Sequence, residues 1–179
     1  MLAICPGSFD PIHHGHLVMG GTFGPIHHGH LEIIARASAL FDEVIVGVAH
    51  NSSKKYLFSL SERVNLVECS LAERGITTVK VEVIPPGVLL AQWAQEHGAQ
   101  VLVKGLRSGA DYEYEAPMAS MNRHLANLET VFLAGEDRFG GVSSTIIREV
   151  ASLGGDVSVY VPRVVSDALV AKHSQVSGR

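Results

Sequence analysis

Apolar runs of strand length alternate with longer amphipathic runs along this chain of 179 residues, and no other feature of the sequence restricts its fold so strongly. DEVIVGVA (42–49), TVKVEVI (78–84), AQVLVKG (99–105) and ETVFLAG (129–135) are rich in Val and Ile. Strands of that composition are covered on both faces, as parallel strands are. Between them lie LEIIARASALF (31–41), SLSERVNLVECSLAERG (59–75), VLLAQWAQEHG (88–98) and a run from about 111 to 126, all of helical length. Ser59 stands three residues before Glu62, the spacing of a capping box, and Gly75 closes that run. Strands joined through helices form a parallel sheet with helices on both faces, so the expected class is α/β. In such sheets ligands lie at the carboxyl ends of the strands.

GSFDPIHHGHL (7–17) and GTFGPIHHGHL (21–31) are nearly the same eleven residues written twice. Each copy runs from glycine and a hydroxyl residue through a Pro turn to HHGH, and the second leads into LEIIARA. That order suggests a strand, a tight turn, and a helix whose first residues carry imidazoles. Unpaired amides and the helix dipole draw an anion to such a start, and a histidine there can donate to a phosphoryl oxygen as charge develops. The plainer readings are a solvated turn or an adventitious metal-binding tract, since six of the ten histidines lie between 13 and 30. The place of the tract between a strand and a helix favours the anion.

The net charge of -4 excludes a protein that grips nucleic acid through a cationic surface. Local cations must then meet an anionic substrate. Lys54 and Lys55 follow DEVIVGVA, and Lys104 and Arg107 follow AQVLV, with Gly105 between them allowing close approach of backbone to a ligand. The Arg107 guanidinium can fork onto phosphate oxygens, the competing reading being a surface ion pair with Asp111 or Glu113. Ser143, Ser144 and Thr145 stand where the last helix should start, and capping needs only one hydroxyl. Trp93, a lone aromatic on an apolar helix face, reads as core. With 46% hydrophobic residues the chain supports one buried core, a single domain over 1–179, with polar HSQVSGR (173–179) as a frayed tail. Cys5 and Cys69 read as reduced thiols of a cytoplasmic protein, and no apolar run approaches membrane-spanning length.

Five blocks, in order, carry a resemblance: the HHGH turn, SSKK (52–55) with FSLSERV (58–64), KGLRSGADYEYE (104–115), MNRHL (121–125) and VSSTIIREV (142–150). Over residues 22 to about 170 the chain resembles the phosphopantetheine adenylyltransferases, whose signature is a [TS]-F-D-P turn followed by H-x-G-H or T-x-G-H. The resemblance implies a single Rossmann-like domain with a five-stranded parallel sheet. It implies transfer of AMP from ATP to 4′-phosphopantetheine, with Mg²⁺ arriving on the ATP, no dedicated metal site in the protein, and a homohexamer. Carried over residue by residue, His30 stabilises the transition state, while Thr22 and Lys54 orient the acceptor phosphate. Leu90, Lys104 and Asn122 complete the acceptor side. Phe23, His30, Gly105, Leu106, Arg107, Glu115, Phe139, Gly140, Gly141, Val142, Ser143, Ser144 and Thr145 contact ATP.

The doubled motif leaves a choice of copy. From His30 to Lys54 is 24 residues, which fits one helix and one strand, whereas from His16 it is 38. The first copy also runs into Gly20, Gly21, Gly24 and Pro25, which break a helix. The second copy is therefore the expected site, with LVMGG (17–21) as its strand and residues 1–16 as an extension. The first copy, with Ser8, Phe9 and His16, is the alternative. It retains Asp10, whereas the second copy has Gly24 at that turn position and loses a carboxylate that holds the turn. The sister nicotinate mononucleotide adenylyltransferases, and an inactive nucleotide-binding homologue, are the alternative functions. KGLR, EYEY and MNRHL favour phosphopantetheine.

Overall fold

The computed structural model describes residues 2–7, 24–50 and 56–177. Five parallel strands form one sheet: β1 (Leu2–Gly7), β2 (Glu43–Ala49), β3 (Val79–Ile84), β4 (Val101–Leu106) and β5 (Glu129–Ala134), in the order β3-β2-β1-β4-β5. The chain runs outward from β1 to β3, then returns to place β4 on the other side of β1. Ala3 pairs with both Val44 and Val101, so the direction of winding changes between β1 and β4. A crevice opens at the carboxyl ends of strands wherever winding reverses in this way.

Strand parity sorts the core into two layers. Val44, Val46, Val48, Val101 and Val103 turn to one face, against α1 (His28–Leu40), α2 (Leu60–Glu73), α5 (Ser144–Ser152) and α6 (Arg163–Ser177). Ile45, Ala49 and Leu102 turn to the other, with Leu90, Trp93 and Ala94 of α3 (Leu90–Glu96) and Leu128 beyond α4 (Gly109–Ala126). Trp93, 3% exposed, is core as expected. Ser59 and Glu62 form the expected capping box on α2: Glu62 N–H donates to Ser59 Oγ at 3.2 Å and Ser59 N–H to Glu62 Oε2 at 2.6 Å.

Two expectations are corrected. The centre of the sheet is Leu2–Gly7, which pairs with β2 from Leu2↔Glu43 to Gly7↔Val48. Residues 2–7 are therefore a structural strand and not part of an extension, and they hold the place assigned to LVMGG, a run outside the described residues. MLAICPG is uninterrupted by a glycine pair, whereas LVMGG ends in two residues that weaken a strand interior. The strand thus leads into the first copy, whereas helix α1 begins within the second. Nor does the chain fray after Lys172: α6 continues to Ser177, because no Gly or Pro intervenes before Gly178 and Ser174 Oγ donates back to Val170 O at 3.0 Å.

Candidate active site

Helix α1 starts within the second copy. His27 caps α1 in an extended conformation, φ -137°, and its backbone N–H donates to His30 Nδ1 at 3.2 Å. The two imidazoles stack, centroids 3.5 Å apart and planes 23° from parallel. Gly29 makes room for this: a Cβ there would lie 3.1 Å from His27 Cε1 and 3.3 Å from Phe139 Cβ. The spacing H-x-G-H is thus a packing requirement as well as a chemical one.

Burial holds His30 well below its ordinary value of 6.5, helped by His27 and Arg107. Burial, then Arg107 and His28, push His27 down to about 3. Both rings are neutral at pH 7. His30 Nδ1 accepts, so the single ring proton of the neutral form belongs on Nε2, which makes that nitrogen a donor. A neutral donor beside an arginine suits an oxygen that gains charge during a reaction.

The missing turn carboxylate is replaced from a distant part of the chain. Gly24 N–H donates to Ser144 Oγ at 2.7 Å, and Ser144 Oγ donates to Pro25 O at 3.1 Å. Ser144 is only 2% exposed, so the turn before α1 is buttoned to the first turn of α5 by a buried contact. Ser143 caps α5, accepting from Ile146 N–H at 3.2 Å. Two of the three hydroxyls thus serve the backbone. Thr145, half-buried, is the third.

Arg107 follows β4 and closes this side. Its backbone N–H and Nε donate to Asp111 Oδ2 at 2.8 and 3.3 Å, and Nη1 donates to Val142 O at 2.9 Å. The ion pair with Asp111 therefore exists, and the same guanidinium also ties β4 to the segment before α5. Phe139, in a short turn of helix at Asp137–Phe139, lies 6.4 Å from His28 and stacks under Arg138; Gly140 and Gly141 follow it. Arg36 Nη1 donates to Ala134 O at 2.5 Å and pairs with buried Glu32 at 2.8 Å, fixing α1 to the end of β5.

Lys104 belongs to the opposite face of β4, where it meets Glu115 of α4 at 3.5 Å, both buried. The only buried residues of α4 are Glu115 and Asn122, one turn pair apart on a single face. Burying polar groups is costly unless they are partnered, so the ion pair to Lys104 is what lets Glu115 face inward. Leu90 is 1% exposed and packed in the second core cluster. Gly105 also has another purpose, since a Cβ there would strike Ile33 of α1 at 2.8 Å. The close approach it permits is helix to strand. Leu106 ends β4 between these groups.

The structure thus brings His30, Arg107, Phe139, Val142 and Ser144 together around the start of α1, with Ser143 and Thr145 flanking Ser144, and pairs Lys104 with Glu115 on the buried face of α4, which also carries Asn122. Thr22, Phe23 and Lys54, together with Ser8, Phe9 and His16 of the first copy, lie outside the described residues. Among the described residues no group of three or more His, Cys, Asp or Glu is placed to hold a metal, and no helix is long and apolar enough to cross a membrane. Arg63 escaped notice in the sequence, because one arginine in an amphipathic helix reads as surface; it is 1% exposed.

The family described as cytidylyltransferase-like matches residues 18–150, beginning just past the first HHGHL. A phosphopantetheine adenylyltransferase of Pseudarthrobacter chlorophenolicus is 50% identical over 169 residues, covering 94% of this chain and 92% of that protein. One from Renibacterium salmoninarum is 52% identical over 164 residues, 91% of each chain. Another, from Corynebacterium efficiens, is 46% identical over 176 residues, covering 98% of this chain and 99% of its own.

Proposed function

The chain belongs to the phosphopantetheine adenylyltransferases, within the cytidylyltransferase-like family, and from that membership we propose how its residues transfer the adenylyl group of ATP to the 4′-phosphate of phosphopantetheine. The products are dephospho-CoA and pyrophosphate, a step of coenzyme A biosynthesis. The observation that carries the reading is His30: a buried, neutral imidazole at a helix start, its Nδ1 held by the His27 amide so that Nε2 donates.

The acceptor is a phosphate anion at neutral pH, so an oxygen lone pair is available without a general base. That oxygen attacks the α-phosphorus of ATP, the bond to the bridging oxygen breaks, and pyrophosphate leaves with the electron pair. Catalysis is then positioning and charge stabilisation. His30 Nε2–H donates to an α-phosphate oxygen. Arg107, Phe23 and the segment Leu106, Phe139–Thr145 hold the nucleotide, while Thr22 and Lys54 orient the acceptor phosphate. Lys104 and Asn122 serve the acceptor side. Substrate phosphate competes with Glu115 for Lys104, which frees the Glu115 carboxylate to accept from the nucleotide.

Asp111 and Glu115, the carboxylates beside Arg107 and Lys104, are each engaged by a cation. That donor set fits a magnesium ion carried on the phosphates of ATP, where it neutralises charge, rather than one caged by protein. A cytoplasmic location and a homohexamer belong to the same proposal. Tyr114, Met121 and Leu125 support an assembly, being 61%, 45% and 50% exposed on one face of α4.

The deciding experiment is pyrophosphate release with phosphopantetheine and with nicotinate mononucleotide as rival acceptors. Release with phosphopantetheine alone is expected. Turnover of nicotinate mononucleotide would move the chain to the sister activity, and calorimetric ATP binding without release from either would make it an inactive homologue.

A further inference from the structure

β5 lies at the edge of the sheet, and residues 135–143 run from its end to the cap of α5. Two arginines bracket that segment. At its far end Arg107 Nη1 donates to Val142 O at 2.9 Å, and at its near end Arg36 Nη1 donates to Ala134 O at 2.5 Å. Arg107 follows β4, whereas Arg36 belongs to α1, the helix that carries His30. Glu32, one turn earlier on the same helix, aims the guanidinium: it is 7% exposed, and its Oε1 accepts from the same Nη1 at 2.8 Å. The other oxygen, Oε2, is buried with no hydrogen-bond partner. A carboxylate half satisfied in the interior is costly and calls for a reason.

We propose that Arg36, aimed by Glu32, is a positioning residue for the nucleotide: it fixes the start of the 135–143 segment against the helix that presents His30. The inference rests on the adenylyl-transfer reading, which gives His30 the α-phosphate and Phe139–Thr145 the nucleotide. Transfer requires both in one geometry at once. His30 is carried by α1, and the segment hangs between β5 and α5, so the spacing of the two depends on what joins them. The Ser144 contact holds the far end of the segment to the turn before α1, and the Arg36 bridge holds the near end to the body of the helix. Gly29 shows how close the spacing is, since a Cβ there would lie 3.3 Å from Phe139 Cβ. With its side chain 45% exposed, Arg36 contributes little to core packing. Its contribution is the bridge, a hydrogen bond strengthened by the donor's charge.

Arg36→Met removes the donor and keeps the aliphatic stem. Its kcat/KM for ATP should fall about 10- to 100-fold, the order expected for a small displacement of binding groups, while the Michaelis constant for phosphopantetheine stays unchanged. Calorimetric ATP affinity, measured without the acceptor, should fall as well. Arg36→Lys restores one nitrogen able to serve both Glu32 and Ala134 O, and should recover part of the loss. Lys172→Met is the control: it breaks an ion pair of the same 2.8 Å length, to Glu62, between α6 and α2, and should leave the kinetics toward both substrates unchanged. Should Arg36→Met not fold, Glu32→Gln removes the charge that aims Arg36 and should shift ATP in the same direction. A lowered melting temperature with unchanged kinetics toward ATP, or equal losses toward both substrates, would make the bridge a structural tie only. If the wild-type enzyme releases no pyrophosphate with phosphopantetheine, the functional reading fails first and this proposal with it; if it turns over normally and Arg36→Met matches it, this proposal falls alone.

Discussion

His30 is where single atoms decide the chemistry. His30→Ala should lower kcat by about 10²–10³-fold, because a donor aimed at developing charge is felt mainly in the transition state. Calorimetric ATP affinity should be nearly unchanged, and loss of affinity equal to the loss of rate would show His30 to be a ground-state contact. His27 reports on the same site through pH. Its folded value is about 3 against an ordinary 6.5, so the unfolded chain takes up the proton first. The stability that depends on neutral His27 is complete above pH 6.5 and is lost progressively as pH falls toward 3. In urea titrations at pH 7 and pH 5, His27→Gln should lose less stability than wild type over that interval. Equal losses would mean that His27 is not the titrating group. HHGH pointed to His30 in the sequence because the motif is local. The tautomer was not legible, since it depends on how the capping residue folds back over one turn.

Elements were easier to foresee than the contacts between them. Periodicity and capping residues located β2 to β5 and the first four helices within a few positions, because those signals act over one or two turns. The replacement of a turn carboxylate by Ser144 was invisible: the two partners are 120 residues apart and meet only when α5 docks on α1. Ser144→Ala leaves the buried Gly24 amide without this oxygen, and should cost about 1–3 kcal/mol in chemical denaturation. A change within experimental error would show that the turn holds without it. The joint use of a strand before the first copy and a helix after the second was also hidden, since each copy breaks one local rule and no local signal joins the two. Residues 8–21 make up one repeat of 14, and deleting them joins Gly7 directly to Thr22. That chain retains β1 and α1 and should fold and turn over. Deletion of 1–16 removes the central strand, and should abolish both; survival of the second variant alone would return the strand to LVMGG.

At the scale of the whole molecule, α4 presents apolar residues outward and polar ones inward. If the outer face is an assembly contact, Tyr114→Glu should lower the mass in solution from that of the wild-type oligomer, measured by light scattering. An unchanged mass would release α4 from that role. The sheet order has a different consequence, one that concerns the chain as it is made. Ala3 emerges well before one of its two neighbours in the sheet, Val101, which follows 98 residues later. At about 5–20 residues per second the nascent strand waits roughly 5–20 s for that neighbour. β2 and β3 can cover one edge of β1 in the meantime, but the other edge must stay open on the ribosome, free to pair with a neighbouring nascent chain. Translation that pauses before Val101 therefore prolongs exposure of the strand at the centre of the finished enzyme.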